Sequence, residues 1–543
     1  MSLNTLVDYI SNSQITSELI KRISKNNELN IVGSSRYAKS IILDSISKKE
    51  EKNILLICPN VEIAYKWIGY FESINDKAVL YYPPTEHLPY SSINKTKEIE
   101  FTQLTVLSKL IKKGSNELNI VITTERSLQP HQINKNLLIE NTFYLQKGVQ
   151  IEIQELANKL TLLGYLKENV TSTEGYWSRR GEIIDIYPVN NEFPVRLEFF
   201  DNVIEKIREY DPHSQKTLES INNIEIIQAG CDLLIKDKLN NLSEKGIFNS
   251  EDLNKNNLDR YLGIIEKEPA NIIDYINKET ILVIDELEDC KKFANNWYLD
   301  SESNFDNCKT ELNENLKNNG INIKATPNLH LKFDEILNSI GNFNLIKLYE
   351  FESKDNIDNR FLLNDKRLNS YSKNIGKLSN NINKNIKNKE KVWILSAQPL
   401  RTRTLLFEHE CNTNFLNNPN DIDEAFKSIN NSTPLILKNK NNYEIEGFYL
   451  PIWKIVLITD KELFSQQSLF NNVFIRRKKR SVNSNINVNK ISPGDFIVHK
   501  NHGIGKFLKI EKIKKLRNRT LILLGFGGGF RRTELISINY EDL

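Results

Sequence analysis

The chain has little cysteine, a single methionine and no long apolar run, and each shortage removes a class of explanation. Its five cysteines (Cys58, Cys231, Cys290, Cys308 and Cys411) are scattered without a Cys-x-x-Cys pair. Neither a zinc site nor a disulfide framework is therefore expected, and the odd count suits a reducing cytoplasm. The longest apolar runs, Ile54–Cys58 and Ile281–Ile284, have the length of a strand and fall far short of the roughly 20 residues that span a bilayer. No basic segment followed by an apolar core opens the chain, so no secretory signal is expected. A cytoplasmic protein with no membrane partner is the expectation.

What remains is an ordinary globular composition, 39% hydrophobic and 26% charged over 543 residues, enough for roughly three to five domains. The net charge of +3 hides an asymmetry. Between Arg476 and Arg532 stand sixteen Lys and Arg against Asp495 and Glu511, a local net of +14, which leaves about −11 for the rest. A basic C-terminal module behind a mildly acidic body suits an acidic protein surface or non-specific contact with DNA through 476–532. A solvated linker with a basic domain face fits the same charges.

Residues 30–125 alternate short apolar runs (Asn30–Val32, Ile54–Cys58, Ala78–Tyr82, Ile120–Thr123) with helical segments (Ala38–Ser47, Val61–Ser73, Glu98–Lys112). That alternation predicts a parallel sheet covered by helices. From Gly181 the texture changes to three closely spaced strands, Gly181–Tyr187, Pro194–Phe200 and Val203–Glu209, an antiparallel meander. The parallel theme returns at Thr280–Asp285, and a further α/β region runs from about Leu329 to Phe464. The Asn/Lys-rich stretch Asn374–Lys389 reads as a loop, and Arg476–Lys490 as a linker.

Gly33-Ser34-Ser35-Arg36-Tyr37-Ala38-Lys39-Ser40 follows a strand and opens a helix, as a phosphate-binding loop does. The pattern wanted is GxxxxGK[ST], whose glycines let backbone N–H groups wrap the phosphates. Ala38 stands where the second glycine belongs, and its Cβ restricts the backbone there. Downstream, Ile281–Ile284 ends in Asp285-Glu286, the position of magnesium and water-activating carboxylates. With no intact motif elsewhere, Gly33, Lys39, Ser40, Asp285 and Glu286 read as the relic of a nucleotide site; weak nucleotide binding is the alternative.

The meander carries a family resemblance. Arg179-Arg180-Gly181-Glu182-Ile183-Ile184-Asp185-Ile186-Tyr187-Pro188, then Pro194–Phe200, then Ile207-Arg208-Glu209-Tyr210-Asp211-Pro212 with Gln215, resembles the module shared by UvrB and the transcription-repair coupling factors (Mfd). Pro84–Tyr90 upstream, Thr459–Phe464 downstream, and Gly494–His499 through His502-Gly503-Ile504-Gly505 continue the pattern in family order. The last of these is similar to CarD-type domains that bind RNA polymerase. The resemblance implies that the meander binds UvrA, the damage-recognition protein of nucleotide excision repair, through Arg180, Arg196 and Phe200. Alternation along Val195–Phe200 agrees, because it turns Val195, Leu197 and Phe199 inward and leaves Arg196, Glu198 and Phe200 outward. The same residues also fit a plainer arrangement, with Phe200 under a neighbouring element and the arginines paired to Glu198 or Glu182.

The resemblance further implies binding to the β subunit of RNA polymerase around Ile504, Phe507 and Leu508, by edge-strand pairing. His499 and His502 lack a carboxylate or cysteine partner nearby, so no metal is expected. The segment Leu516–Thr520 and the run Gly525–Arg532, with three adjacent glycines, depart from the family pattern and weaken the end of this module.

The expected architecture is multidomain α/β. It comprises a UvrB-like parallel domain (1–145 and 231–325) with an inserted antiparallel module (146–230), and a second α/β domain (326–470). A basic linker (471–491) and a small CarD-like barrel (492–543), truncated or altered at its end, complete it. The motor that follows in the family, with its ATP and Mg, is not among these residues, as a truncated or frame-shifted gene would leave it. The expectation is an adaptor with no cofactor of its own. The competing readings are a UvrB-like ATPase, which would depend on Lys39 and Asp285, and a CarD-like DNA-binding regulator.

Overall fold

The computed structural model describes residues 3–464 except 75–77, 92–95, 113–117, 245, 250–257, 352–358, 365, 369–370, 372–373, 417–421 and 440–444, together with 496–499 and 503–506. Short, almost wholly apolar runs form the central strands of the first sheet, because parallel strands covered on both faces must be apolar throughout. Ile54–Cys58, Ile120–Thr124 and Ile281–Asp285 are buried along their whole length. Seven strands run parallel in the order Arg360–Leu362, Glu28–Val32, Asn344–Tyr349, Ile281–Asp285, Ile54–Cys58, Ile120–Thr124 and Val79–Tyr81. Alternate side chains feed two cores: Leu55 and Ile57 pack with Phe101, Leu104 and Phe305, while Ile54 and Leu56 pack with Ile41, Ile42 and Trp67.

The inserted module is bracketed by a strand entering, Phe143–Gln146, paired antiparallel with one leaving, Asn223–Ile226. Its six-stranded sheet runs Thr217–Ile221, Val203–Tyr210, Val195–Phe200, Ile183–Ile186, Tyr176–Arg180, Leu166–Lys167. All of its pairs but the last are antiparallel. Asp201 and Asn202 both sit at positive φ (48° and 62°), the two-residue turn whose twist matches a hairpin. Helix Ile153–Leu162 puts Leu156 and Leu160 into the core that also holds Val195, Leu197 and Phe199.

Two sequence expectations need correction. The boundary expected at 326 falls inside the first domain, because Asn344–Tyr349 and Arg360–Leu362 are strands of the first sheet; the second sheet starts at Lys366. The stretch expected as a loop at Asn374–Lys389 is mostly helix, Ile375–Lys387, with Leu378 and Ile382 buried and Asn374 Oδ1 capping Lys377 N–H at 2.9 Å. Its Asn and Lys residues largely occupy the more exposed faces, and side-chain caps of this kind satisfy the first N–H groups of a helix. The second sheet runs Lys366–Arg367, Phe448–Leu450, Ile455–Thr459, Lys391–Ser396, Leu435–Lys438, Asn414–Phe415. Among the described residues of the C-terminal unit, Phe496–His499 and Gly503–Lys506 form one antiparallel hairpin.

Candidate partner-binding face and the nucleotide-type site

Across the outer face of the module, register places Ser178, Asp185, Arg196, Arg208 and Ser220 in one row over five strands. Burial along Val195–Phe200 alternates as the sequence predicts, with Val195, Leu197 and Phe199 buried, Arg196 and Glu198 partly exposed, and Phe200 70% exposed. Phe200 ends its strand immediately before the Asp201-Asn202 turn, which leaves its ring in solvent.

Arg196 is held rather than loose. Its Nε donates to Asp185 Oδ1 at 2.7 Å and its Nη2 to Asp185 Oδ2 at 2.9 Å, with a third bond from Nη2 to Gln215 Oε1 at 2.9 Å. The guanidinium lies over the Tyr210 ring, 4.6 Å from its centroid. Hydrogen bonding to the Asp185 carboxylate raises the Arg196 pKa, against the opposing effect of desolvation. A bidentate pair of this kind fixes a guanidinium in direction as well as in charge. Asp185 is only 2% exposed, and exposed Arg180 also approaches it, Nη2 to Oδ2 at 3.8 Å. The arginines therefore converge on Asp185, not on Glu182 or Glu198; Glu198 pairs with Arg208. Sequence reasoning missed Asp185, Tyr210 and Gln215 as members of this face, although all three lie in the motif. For Asp185 and Tyr210 the shared parity along neighbouring strands was the available signal; Gln215 lies in the loop between Tyr210 and Thr217 and had none.

At the nucleotide-type site, strand Glu28–Val32 is followed by Gly33 (φ +86°) and Ser34 (φ +72°). Ser35 then caps the helix, its Oγ accepting from Ala38 N–H at 3.3 Å, and the helix begins at Arg36. Only three residues join strand to helix, because the backbone that would wrap phosphates is already helical. Lys39 is 1% exposed, and its Nζ donates to the Tyr349 carbonyl at 2.9 Å. Burial lowers its pKa, with Asp285 and Glu286 opposing. Ser40 Oγ donates to the Tyr37 carbonyl at 2.6 Å.

Asp285 is fully buried and accepts at Oδ2 from Arg36 Nε (2.7 Å) and Trp67 Nε1 (2.9 Å). Glu286, at φ +51°, accepts from Glu350 N–H at 2.6 Å, and burial raises its pKa. The structure thus brings Gly33, Lys39, Ser40, Asp285 and Glu286 to one edge of the sheet, with each polar side chain engaged by the protein itself. These residues fit a magnesium nucleotide poorly, since the cation at Asp285 is Arg36 and the lysine is already bonded.

In the C-terminal hairpin Ile504 stands opposite Val498, and His499 opposite Gly503. Phe507, Leu508, His502 and most of 476–532 lie outside the described residues. Among the described residues no cluster of His, Cys, Asp and Glu could hold a metal, and no helix is long and apolar enough to cross a membrane.

Comparison with known proteins matches three segments. Residues 143–230 match the UvrB interaction domain, 367–465 the cyanobacterial Mfd Rossmann-like domain, and 491–533 the CarD-like/TRCF RID domain. The curated transcription-repair-coupling factor of Bacillus subtilis is 26% identical over 529 residues, covering 89% of this chain and 42% of that protein. That of Staphylococcus epidermidis is 23% identical over 548 residues, covering 94% and 44%. The chain thus spans less than half the length of these relatives. With its inserted meander, second α/β sheet and CarD-like segment in family order, the chain is similar to the N-terminal portion of the transcription-repair coupling factors.

Proposed function

We propose that this chain is a recruiting adaptor of transcription-coupled repair: it binds UvrA through Arg180, Arg196 and Phe200. Its CarD-like segment meets the β subunit of RNA polymerase around Ile504, Phe507 and Leu508. The observation that carries the first contact is the exposed Phe200 ring on the same strand face as the clamped Arg196. Aromatic and arginine side chains presented together in a fixed geometry are the usual anchors of a protein interface. The net +14 between Arg476 and Arg532 supports a supplementary, salt-sensitive and non-specific affinity for DNA.

The first sheet has a scaffold role in this reading. The Arg36–Asp285 pair and the Lys39–Tyr349 bond favour a lobe without ATP, Mg or hydrolysis, in preference to a UvrB-like ATPase. The test is the affinity of purified UvrA for the chain and for an Arg196→Glu/Phe200→Ala variant. Binding in the wild type that falls at least tenfold in the variant supports the adaptor reading. Equal binding by both moves the interface elsewhere, and binding by neither removes UvrA as the partner.

A further inference from the structure

Asp185 is a nearly buried carboxylate on the outer face of the module, and two guanidinium groups turn toward it. It stands directly across from Arg196 in the strand register and bonds it at both oxygens, while Arg180 reaches the same Oδ2 at 3.8 Å. Thr171, itself buried, donates to the Asp185 main-chain carbonyl at 3.3 Å and to Ser178 Oγ at 3.0 Å, which ties that strand position down. Tyr210 beneath Arg196 and the second bond from Nη2 to Gln215 support the side chain, but its direction is set by the two bonds to Asp185.

The charges do not balance. Two arginines against one aspartate leave one positive charge. Among the described residues Arg180 makes no hydrogen bond beyond its 3.8 Å approach to Asp185, whereas Arg196 is also bonded to Tyr210. Arg208, the next cation in the row, pairs with Glu198. Phe200 lies four residues along the strand from Arg196, roughly 13 Å at the usual rise.

We propose that Asp185 is the positioning residue of this face: it converts Arg180 and Arg196 into a preformed receptor for a single carboxylate of the partner, set beside the apolar anchor Phe200. This rests on the reading that the face binds UvrA, and it adds the chemistry the partner must bring. That chemistry is one acidic side chain, and an apolar pocket about 13 Å from it. Asp185 itself stays behind the arginines and makes no contact with the partner. Removing its charge makes the face more positive, which favours encounter with an acidic surface, but frees Arg196 to move, which loosens the complex once formed.

The experiment uses the full chain with Asp185→Asn, Arg196→Ala and the double variant, immobilised UvrA for rate constants, and the Arg196 Nε–H NMR signal in deuterated protein. We expect Asp185→Asn to speed dissociation at least tenfold while association stays equal or quickens. In the Arg196→Ala background the same change should add less than twofold. The Nε–H signal, protected in the wild type, should be lost in Asp185→Asn without UvrA present. Slower association, or single effects that multiply in the double variant, would mean that Asp185 only supports the fold and would overturn the proposal. An Nε–H signal unchanged by Asp185→Asn also overturns it, even if UvrA binds. A wild type that does not bind UvrA but shows the expected loss of signal removes the partner and keeps the clamp.

Discussion

Replacing Arg36 by alanine strips the fully buried Asp285 carboxylate of its only cationic hydrogen-bond donor among the described residues, and the structure allows the cost to be worked out. Asp285 keeps one bond at Oδ2, from Trp67 Nε1, while among the described residues its Oδ1 has no hydrogen-bond partner in the native protein either. Removing one member of a buried ion pair typically costs about 3–5 kcal/mol. The Arg36 side chain is 23% exposed, so water already screens part of the pair, and the lower end, about 3 kcal/mol, is expected. Asp285→Asn on top of Arg36→Ala removes the stranded charge and keeps an acceptor for Trp67, which should recover about 2 kcal/mol. Because the chain is multidomain, one global midpoint is not well defined. The proper assay is the opening free energy of strand Ile281–Asp285 from hydrogen exchange. An Arg36→Ala loss below about 0.5 kcal/mol, or no recovery in the double variant, would refute the view that Arg36 serves as the counter-ion of this site.

Three further perturbations test other parts of the account. Restoring the phosphate-loop glycine with Ala38→Gly should cost about 1 kcal/mol of helix stability. It should leave hydrogen exchange of helix Arg36–Glu50 insensitive to millimolar Mg-ATP, since Lys39 stays bonded to Tyr349; a clear ATP-dependent slowing would show a working site. Glu125 is nearly buried, and desolvation pushes its pKa up to about 7 from 4.5. Its protonated form is therefore favoured by folding: that stability is fully present below pH 4.5, is lost as pH rises through about 7, and amounts to roughly 3 kcal/mol. Glu125→Gln should abolish that slope in urea titrations across this window, and an unchanged slope would assign it to other groups. Gly175 sits at φ +80°, where a Cβ would come within 2.6 Å of the Phe101 ring. Gly175→Ala should destabilise the module's contact with helix Lys97–Ile111 by about 2–4 kcal/mol, read as faster hydrogen exchange around 175–187.

Sequence patterns carried furthest where burial alone dictates composition. Ile54–Cys58 and Ile281–Asp285 are legible as strands because a parallel strand covered on both faces must be apolar throughout. The inward and outward faces of Val195–Phe200 follow from its period of two. Patterns failed where polar residues cover an ordinary element. The helix Ile375–Lys387 is hidden by its Asn and Lys residues, and Asn344–Tyr349 by a mixed run too short to assign to either sheet. The partners at the two sites were out of reach for a different reason. Arg36 meets Asp285 across 249 positions of chain, a pairing set by the order of strands and not by any local motif. Asp185 and Arg196 are only eleven apart, but which acid takes the arginine depends on register, and Glu198 is nearer still in sequence.

The most direct test of the central claim is hydrogen exchange of the full chain with and without purified UvrA. The account predicts slowed exchange confined to the outer face of the module, at residues 179–186 and 196–203, and no change around Gly33, Lys39 and Asp285. Protection centred on the first or second α/β sheet, with the Arg196–Phe200 strand unaffected, would contradict it.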